Sequence, residues 1–98
     1  MISAMKESVV ENHFCWSVER IGGKTWKFVS PSNRGVSDRI ACLPNGETWF
    51  VELKAPNGRL SALQEVFAED IKQLNQKYAC LWSKEQINDW AAQASNPL

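Results

Sequence analysis

The chain has 98 residues, 44% of them hydrophobic, and equal numbers of acidic and basic side chains, so its formal net charge is zero. This length predicts a single domain over residues 1–98, with one modest core and no accessory domain. No apolar run is long enough to span a membrane, no signal-peptide pattern opens the chain, and the three cysteines form no C-x-x-C pair. We therefore expect a cytoplasmic protein with reduced core thiols, without a membrane partner, a zinc site or a disulfide framework.

Charge is unevenly distributed along the chain. Seven basic and three acidic side chains lie between Arg20 and Arg59, whereas four basic and eight acidic side chains lie outside this segment. The middle segment therefore carries +4 and the flanks carry −4. This pattern is either random scatter or the mark of a basic surface that meets phosphate groups.

The first predicted element is a helix from about Ser3 to Arg20. Val10, Phe14 and Val18 recur every four residues and form its apolar stripe. The acidic residues at positions 7 and 11 lie one helical turn apart. Gly22-Gly23 is expected to end the helix.

Three strands are predicted to follow, over residues 25–29, 39–43 and 48–54. Between the first two, residues 30–35 read as a loop from their Ser, Pro, Asn and Gly content. Pro44-Asn45-Gly46-Glu47 predicts a tight hairpin between the second and third strands, because Asn and Gly both tolerate positive φ.

The remaining elements are a helix, a strand and a short helix. Ser61-x-x-Gln64 has capping-box spacing and begins a helix that extends to about Gln76. Its predicted buried stripe is Leu63, Val66, Phe67, Ile71 and Leu74. A strand over 78–82 and a helix from Ser83 to about 94 complete the chain. The order α-β-β-β-α-β-α predicts an α/β sandwich with a mixed sheet, its last strand parallel to its neighbour.

Two carboxylates and an ammonium group are expected to converge at one end of this sheet. Asp38 precedes the second strand, and a hairpin closing near Asn45-Gly46 brings it level with Glu52. Strand alternation places Glu52 and Lys54 on one face. Mg²⁺ prefers oxygen ligands and lowers the pKa of bound water, and a nearby lysine can stabilise phosphate oxygens. A Glu-x-Lys alone usually faces solvent, but its combination with Gly35-x-x-Asp38 and a hairpin favours metal-dependent phosphodiester chemistry.

Asp38…Glu52-Leu53-Lys54 resembles the PD-(D/E)xK nuclease signature. More narrowly, the chain resembles the VRR-NUC (virus-type replication-repair nuclease) domain over roughly residues 7–83. The matching segments are Gly22-Gly23, 26–31 (WKFVSP), 34–39 (RGVSDR), 50–56 (FVELKAP) and 59–64 (RLSALQ). The family usually has proline where this chain has Ser37, and serine restricts the backbone before Asp38 less firmly than proline does.

The resemblance implies a restriction-endonuclease-like α-β-β-β-α-β core and a Mg²⁺- or Mn²⁺-dependent deoxyribonuclease. Its metal ligands would be Glu7, Asp38, Glu52 and the Leu53 carbonyl, with Glu11 as the alternative to Glu7. Its catalytic residues would be Asp38, Glu52, Lys54 and Gln64. Its nucleic-acid contacts would be Lys27, Arg34, Arg39 and Arg59, although Lys27 also reads as a plain edge-strand lysine. The amide of Gln64 is not expected to serve fully both as a site residue and as a helix cap.

The resemblance also implies a partner, DNA that is branched or forms a four-way junction, and a homodimer of the type found in phage enzymes acting in a bacterial host. Symmetric cuts by a one-site domain require two copies related by a two-fold axis. The open alternatives are a branched-DNA binding module that does not cleave and a less selective nuclease. Five tryptophans exceed what so small a core accommodates, so we expect some to lie at the dimer interface, Trp90 first and Trp82 next.

Overall fold

The computed structural model describes residues 6–95. Its helices are α1 (Glu7–Arg20), α2 (Ala62–Gln73) and α3 (Lys84–Ala94). Its strands are β1 (Lys24–Lys27), β2 (Arg39–Cys42), β3 (Thr48–Leu53) and β4 (Lys77–Leu81). This is the predicted α-β-β-β-α-β-α order, and the start predicted for the first helix, Ser3, lies outside the described residues.

The four strands form one mixed sheet in the order β1-β2-β3-β4. β1 and β3 both run antiparallel to β2, and β4 runs parallel to β3, as predicted. In the hairpin between β2 and β3, Leu43 accepts a hydrogen bond from Gly46 N at 3.0 Å and donates its own amide to Glu47 at 2.9 Å. Only Gly46 takes positive φ there, at 91°, while the Asn45 side chain accepts from the Glu47 amide. Asn45 thus stabilises the turn through its side chain.

Helices α1 and α3 cover one face of the sheet and enclose the core. Its buried residues are Val10, Phe14, Val18, Ala41, Leu43, Val51, Leu53, Leu81, Ile87, Trp90, Ala91 and Ala94. Trp90 is only 8% exposed, and its ring centroid lies 5.2 Å from that of Phe14 and 5.6 Å from that of Trp49. The prediction that Trp90 lies at a dimer interface is therefore wrong, because α3 turns this ring into the core.

Helix α2 lies on the other face. Its Phe67 ring meets the rings of Phe28 and Phe50, with the three centroids 6.0–6.2 Å apart. The predicted buried stripe of α2 is only partly correct. Phe67 and Ile71 are half-buried, whereas Leu63, Val66 and Leu74 are 52%, 56% and 67% exposed. The apolar arc of α2 is wider than its contact with the sheet, so the row of Leu63, Val66 and Leu74 points to solvent.

Predictions were also made for the three cysteines and for Trp82. All three cysteines are free; Cys42 is exposed, and Cys15 and Cys80 are half-buried, so none is the core thiol predicted. Trp82 is half-buried, and its indole nitrogen donates to the Gly58 carbonyl at 2.9 Å.

Within residues 6–95, no helix is both long and apolar enough to cross a membrane.

Candidate active site

The start of β2 brings Asp38 to the end of β3. Arg39 pairs with Val51, so the antiparallel register places the preceding Asp38 beside Glu52. Asp38 Oδ2 accepts a hydrogen bond from the Leu53 amide at 2.9 Å, and the Asp38 carbonyl accepts one from the Phe28 amide, also at 2.9 Å. The backbone and the carboxylate of Asp38 are thus each held by a neighbouring segment of chain.

Glu52 is the buried member of the carboxylate pair, with 1% of the residue exposed. Gln64 Nε2 donates to Glu52 Oε2 at 3.0 Å, and Lys54 Nζ lies 3.7 Å from the same oxygen. Burial, followed by the charge and hydrogen bond of Asp38, raises the pKa of Glu52 to about 8, while Lys54 acts in the opposite direction. Without a further cation, Glu52 therefore favours its neutral form at neutral pH.

Gln64 serves both of the roles that were predicted to compete. Ser61 N donates to Gln64 Oε1 at 2.8 Å and Gln64 N donates to Ser61 Oγ at 3.2 Å, which completes the capping box of α2. Only the amide oxygen can accept from Ser61 N, so the NH₂ group is directed to Glu52. The amide was not expected to serve both roles fully, but its two ends contact different partners, the cap through Oε1 and Glu52 through Nε2. The hydrogen bond from Ser61 N to Gln64 Oε1 therefore orients the amide nitrogen of Gln64 towards Glu52.

The two glutamates of α1 that were considered as metal ligands, Glu7 and Glu11, have different surroundings. Burial and the charge of Asp38 raise the pKa of Glu7, and Lys54 lowers it, so this carboxylate lies within the field of the pair. Glu11 instead accepts a 2.8 Å hydrogen bond from Arg39 Nη1. The pKa of Glu7 thus responds to Asp38 and Lys54, whereas Glu11 is paired with Arg39, and the role of Glu7 as a metal ligand stays a prediction.

The donor set suits a hard divalent cation. Within residues 6–95, no group of three or more His, Cys, Asp or Glu side chains is arranged to hold a metal ion, so Glu7 does not complete a close triad with Asp38 and Glu52. Mg²⁺ does not require one, because it is commonly held by one or two carboxylates together with water and substrate phosphate. A buried glutamate with a raised pKa, beside a second carboxylate, is a site where such a cation replaces a proton.

The predicted nucleic-acid contacts fall into two groups. Lys27, Arg34 and Arg59 are exposed, and none forms an ion pair within the described part of the chain. Arg34 lines an open cavity of 410 Å³ between the loop after β1 and α2, next to the segment that carries Asp38. Arg39 differs from the prediction: it is 8% exposed, and its guanidinium bonds to Glu11 and Thr25. It faces the α1 side of the sheet, where it does not reach a phosphate at the carboxylates.

Sequence reasoning did not identify Ser37 or the Arg39–Glu11 pair as supports of the site. Ser37 is 1% exposed, and its hydroxyl donates to the Arg39 carbonyl. The alternation of side chains along β2 could have indicated the burial of Arg39, because Arg39 lies on the same inward-facing side of the strand as buried Ala41. A basic residue at that position needs an acidic partner, and α1 offered Glu11 and Glu19 besides Glu7.

Comparison with known proteins was made on the whole chain. No protein-family model matches it. A solved structure described as a "VRR_NUC domain" superimposes with a TM-score of 0.85 and 26% sequence identity, covering 91% of this chain and 97% of that one. "Putative nuclease p44" of Acyrthosiphon pisum secondary endosymbiont phage 1 is 47% identical over 60 residues, or 61% of this chain. The match covers 64% of that relative's length.

The fold places the chain in the restriction-endonuclease-like class of α/β domains, with a carboxylate pair and a lysine where β2 begins and β3 ends. Within that class, the chain is similar to a VRR-NUC domain over nearly its whole length, in agreement with the resemblance of its sequence motifs.

Proposed function

We propose that this chain is a deoxyribonuclease that uses Mg²⁺ or Mn²⁺ to hydrolyse phosphodiester bonds, with preference for four-way junctions and other branched DNA. One observation carries the proposal: the buried Glu52 lies beside Asp38 and 3.7 Å from Lys54 on a VRR-NUC fold. The phage relative named as a nuclease supports the same reaction class.

Each site residue has a distinct role in this proposal. Asp38 and Glu52 would hold the metal ion together with the Leu53 carbonyl, and Glu7 would add negative charge from α1. When bound, the metal supplies a water of lowered pKa and neutralises charge on the phosphate. Lys54 orients the attacking water and stabilises the oxygens of the phosphate under attack. Gln64 fixes the rotamer of Glu52 through its 3.0 Å hydrogen bond.

Recognition is proposed to rest on the DNA backbone and its shape. The exposed Lys27, Arg34 and Arg59 belong to the segment that carries net positive charge. Contacts of this kind position a protein on DNA without reading base sequence. The described elements include no helix-turn-helix or zinc finger. Selectivity for a branched substrate would then follow from the spacing of two active sites, one in each subunit of a homodimer.

The two sites are proposed to come from a homodimer that buries the exposed apolar row of α2. Leu63, Val66 and Leu74 lie on one side of this helix and are each more than half exposed. Exposed apolar side chains on one side of a helix are typical of protein–protein interfaces. This surface replaces Trp90 as the proposed interface. It also lies on the sheet face that carries Glu52 and Gln64, so pairing through it would bring two sites close together.

The function is tested with end-labelled duplex, flap, fork and four-way junction substrates, each incubated with Mg²⁺, Mn²⁺ or EDTA. The proposal expects metal-dependent cleavage, fastest on the junction, with paired cuts on opposing strands. Cleavage that is unchanged in EDTA would contradict the metal role, and equal rates on all substrates would contradict the structural preference.

A branched-DNA binding module that does not cleave is the rival from another class. Such a module would bind the four-way junction as tightly as the proposed enzyme, but it would give no cleavage product with any metal. The intact Asp38, Glu52 and Lys54 favour the enzyme, because a binding module has no need of a glutamate whose pKa is raised by burial and by a neighbouring carboxylate.

A further inference from the structure

Asp38 is flanked by two buried residues that hold its backbone. Ser37 is 1% exposed, and its Oγ donates to the Arg39 carbonyl at 3.3 Å, closing a bond across Asp38 itself. Arg39 is 8% exposed and lies on the α1 face of the sheet, opposite to the face of Glu52. Alternation along the strand then turns the intervening Asp38 towards Glu52.

The Arg39 side chain ties three elements together. Its Nη1 donates to Glu11 Oε2 on α1 at 2.8 Å, and its Nε donates to Thr25 Oγ1 on β1 at 3.1 Å. The Thr25 hydroxyl in turn donates to the Ile40 carbonyl on β2 at 2.8 Å. A planar guanidinium with several fixed donors can hold both partners at once, which a lysine ammonium on a flexible stem does less well.

We infer that Arg39 is a positioning residue for the metal site. Together with Ser37 and Glu11, it fixes the backbone of Asp38 immediately before β2. It also holds α1, which carries Glu7, against the sheet. The inference rests on the proposed function only in requiring that these carboxylates bind a divalent cation. It assigns to Ser37 and Arg39 the backbone restriction that proline supplies before the aspartate in other VRR-NUC sequences.

This role differs measurably from a phosphate contact. Loss of a phosphate contact weakens DNA binding and reduces its dependence on salt. Loss of a residue that orients metal ligands weakens metal affinity, typically about 10–100-fold, and is compensated by excess metal.

The test is Mn²⁺ titration by calorimetry on wild type, Glu11→Gln and Arg39→Met, with the folded fraction of each measured by thermal unfolding. Arg39→Met leaves Glu11 without its buried partner and is the variant at risk of not folding. Glu11→Gln keeps the size and one acceptor oxygen and tests the same link more gently. Glu47→Gln is the matched control, because Glu47 lies in the turn before β3, at the other end of the hairpin, where it pairs with exposed Lys77 at 3.8 Å and accepts from Trp49 Nε1 at 2.9 Å.

The inference expects Mn²⁺ dissociation constants at least about tenfold higher for Glu11→Gln than for wild type and for Glu47→Gln, with all three folded. It also expects excess Mn²⁺ to restore junction cleavage without a change in the KM for DNA. Unchanged Mn²⁺ affinity in a folded Glu11→Gln protein would overturn it, as would a higher KM for DNA with normal metal affinity. Wild-type protein that binds no Mn²⁺ would also overturn it. Wild-type protein that binds Mn²⁺ but cleaves nothing would refute the proposed function alone.

Discussion

Glu52 is a carboxylate whose protonation state decides what the site can bind. In the folded, metal-free protein its pKa is about 8, against 4.5 for an ordinary glutamate, because it is buried beside Asp38. Below this pKa Glu52 is neutral, and above it Glu52 is negatively charged. Metal binding must therefore displace a proton at neutral pH, and affinity should rise with pH until Glu52 is ionised.

The same shift makes stability depend on pH. Between the usual glutamate pKa and about 8, the folded protein keeps a proton that the unfolded chain has released, so the free energy of unfolding falls as pH rises through this window. Urea unfolding in EDTA at several pH values between about 5.5 and 9 measures the slope. We expect Glu52→Gln, which cannot ionise, to remove most of it. If the free energy of unfolding of the wild type did not change between these pH values, the proposed shift in the pKa of Glu52 would be contradicted.

Lys54 is the second residue with a specific prediction. Its ammonium lies 3.7 Å from Glu52 and is only partly exposed, so it is placed to act on charge that develops during the reaction. We expect Lys54→Ala to lower the cleavage rate roughly 10²–10³-fold with little change in metal affinity. Single-turnover kinetics and calorimetry separate the two quantities. A collapse of metal affinity would instead make Lys54 a structural partner that holds Glu52 in place.

Among the elements, α2 links the stability of a helix to the geometry of the site. Its capping box uses the oxygen of Gln64, while the nitrogen of the same amide holds Glu52. Gly35 has φ of +88°, and a Cβ there would lie 2.5 Å from the Leu63 carbonyl, so the loop before Asp38 packs tightly on the first turn of α2. The start of α2 and the Asp38 segment are therefore positioned together.

A pair of substitutions separates capping from site support. Ser61→Ala removes the cap and should cost about 1 kcal/mol of stability while leaving the Glu52 contact. Gln64→Leu removes the reciprocal cap bond and the Glu52 contact. We expect both variants to lose similar stability in urea, but Gln64→Leu to lose far more cleavage activity. Equal activity in the two variants would reduce Gln64 to a helix cap.

At the scale of the whole molecule, the predictable features were those that follow from local pattern. Apolar spacing, the hairpin turn and the Ser-x-x-Gln caps predicted the order of elements and placed Asp38 level with Glu52. The division of apolar side chains between core and surface was not predictable. Trp90 and Val66 both lie in apolar helical stripes, and only the tertiary packing determines that α3 buries its tryptophan while α2 exposes its valine. The role of Arg39 was missed because its partner lies 28 residues away on α1.

The exposed row of α2 makes the assembly testable. We expect light scattering at micromolar concentration to give twice the mass of one chain. Val66→Lys should convert the protein to a monomer without unfolding it, because this side chain is already 56% exposed. Trp16→Gln, at an equally exposed ring on α1, is the control and should leave the dimer intact. A wild-type monomer would remove the homodimer and, with it, the basis for paired cuts at a junction.

The central claim is that Asp38 and Glu52 form the metal site of a nuclease, and a single comparison tests it most directly. Cleavage and binding of a labelled four-way junction are measured in Mg²⁺ for wild type, Asp38→Asn and Glu52→Gln. We expect both substitutions to abolish cleavage and to leave junction binding equal or tighter, because each removes negative charge from beside an anionic substrate. Wild-type turnover in either variant would contradict the assignment of the reaction to this pair.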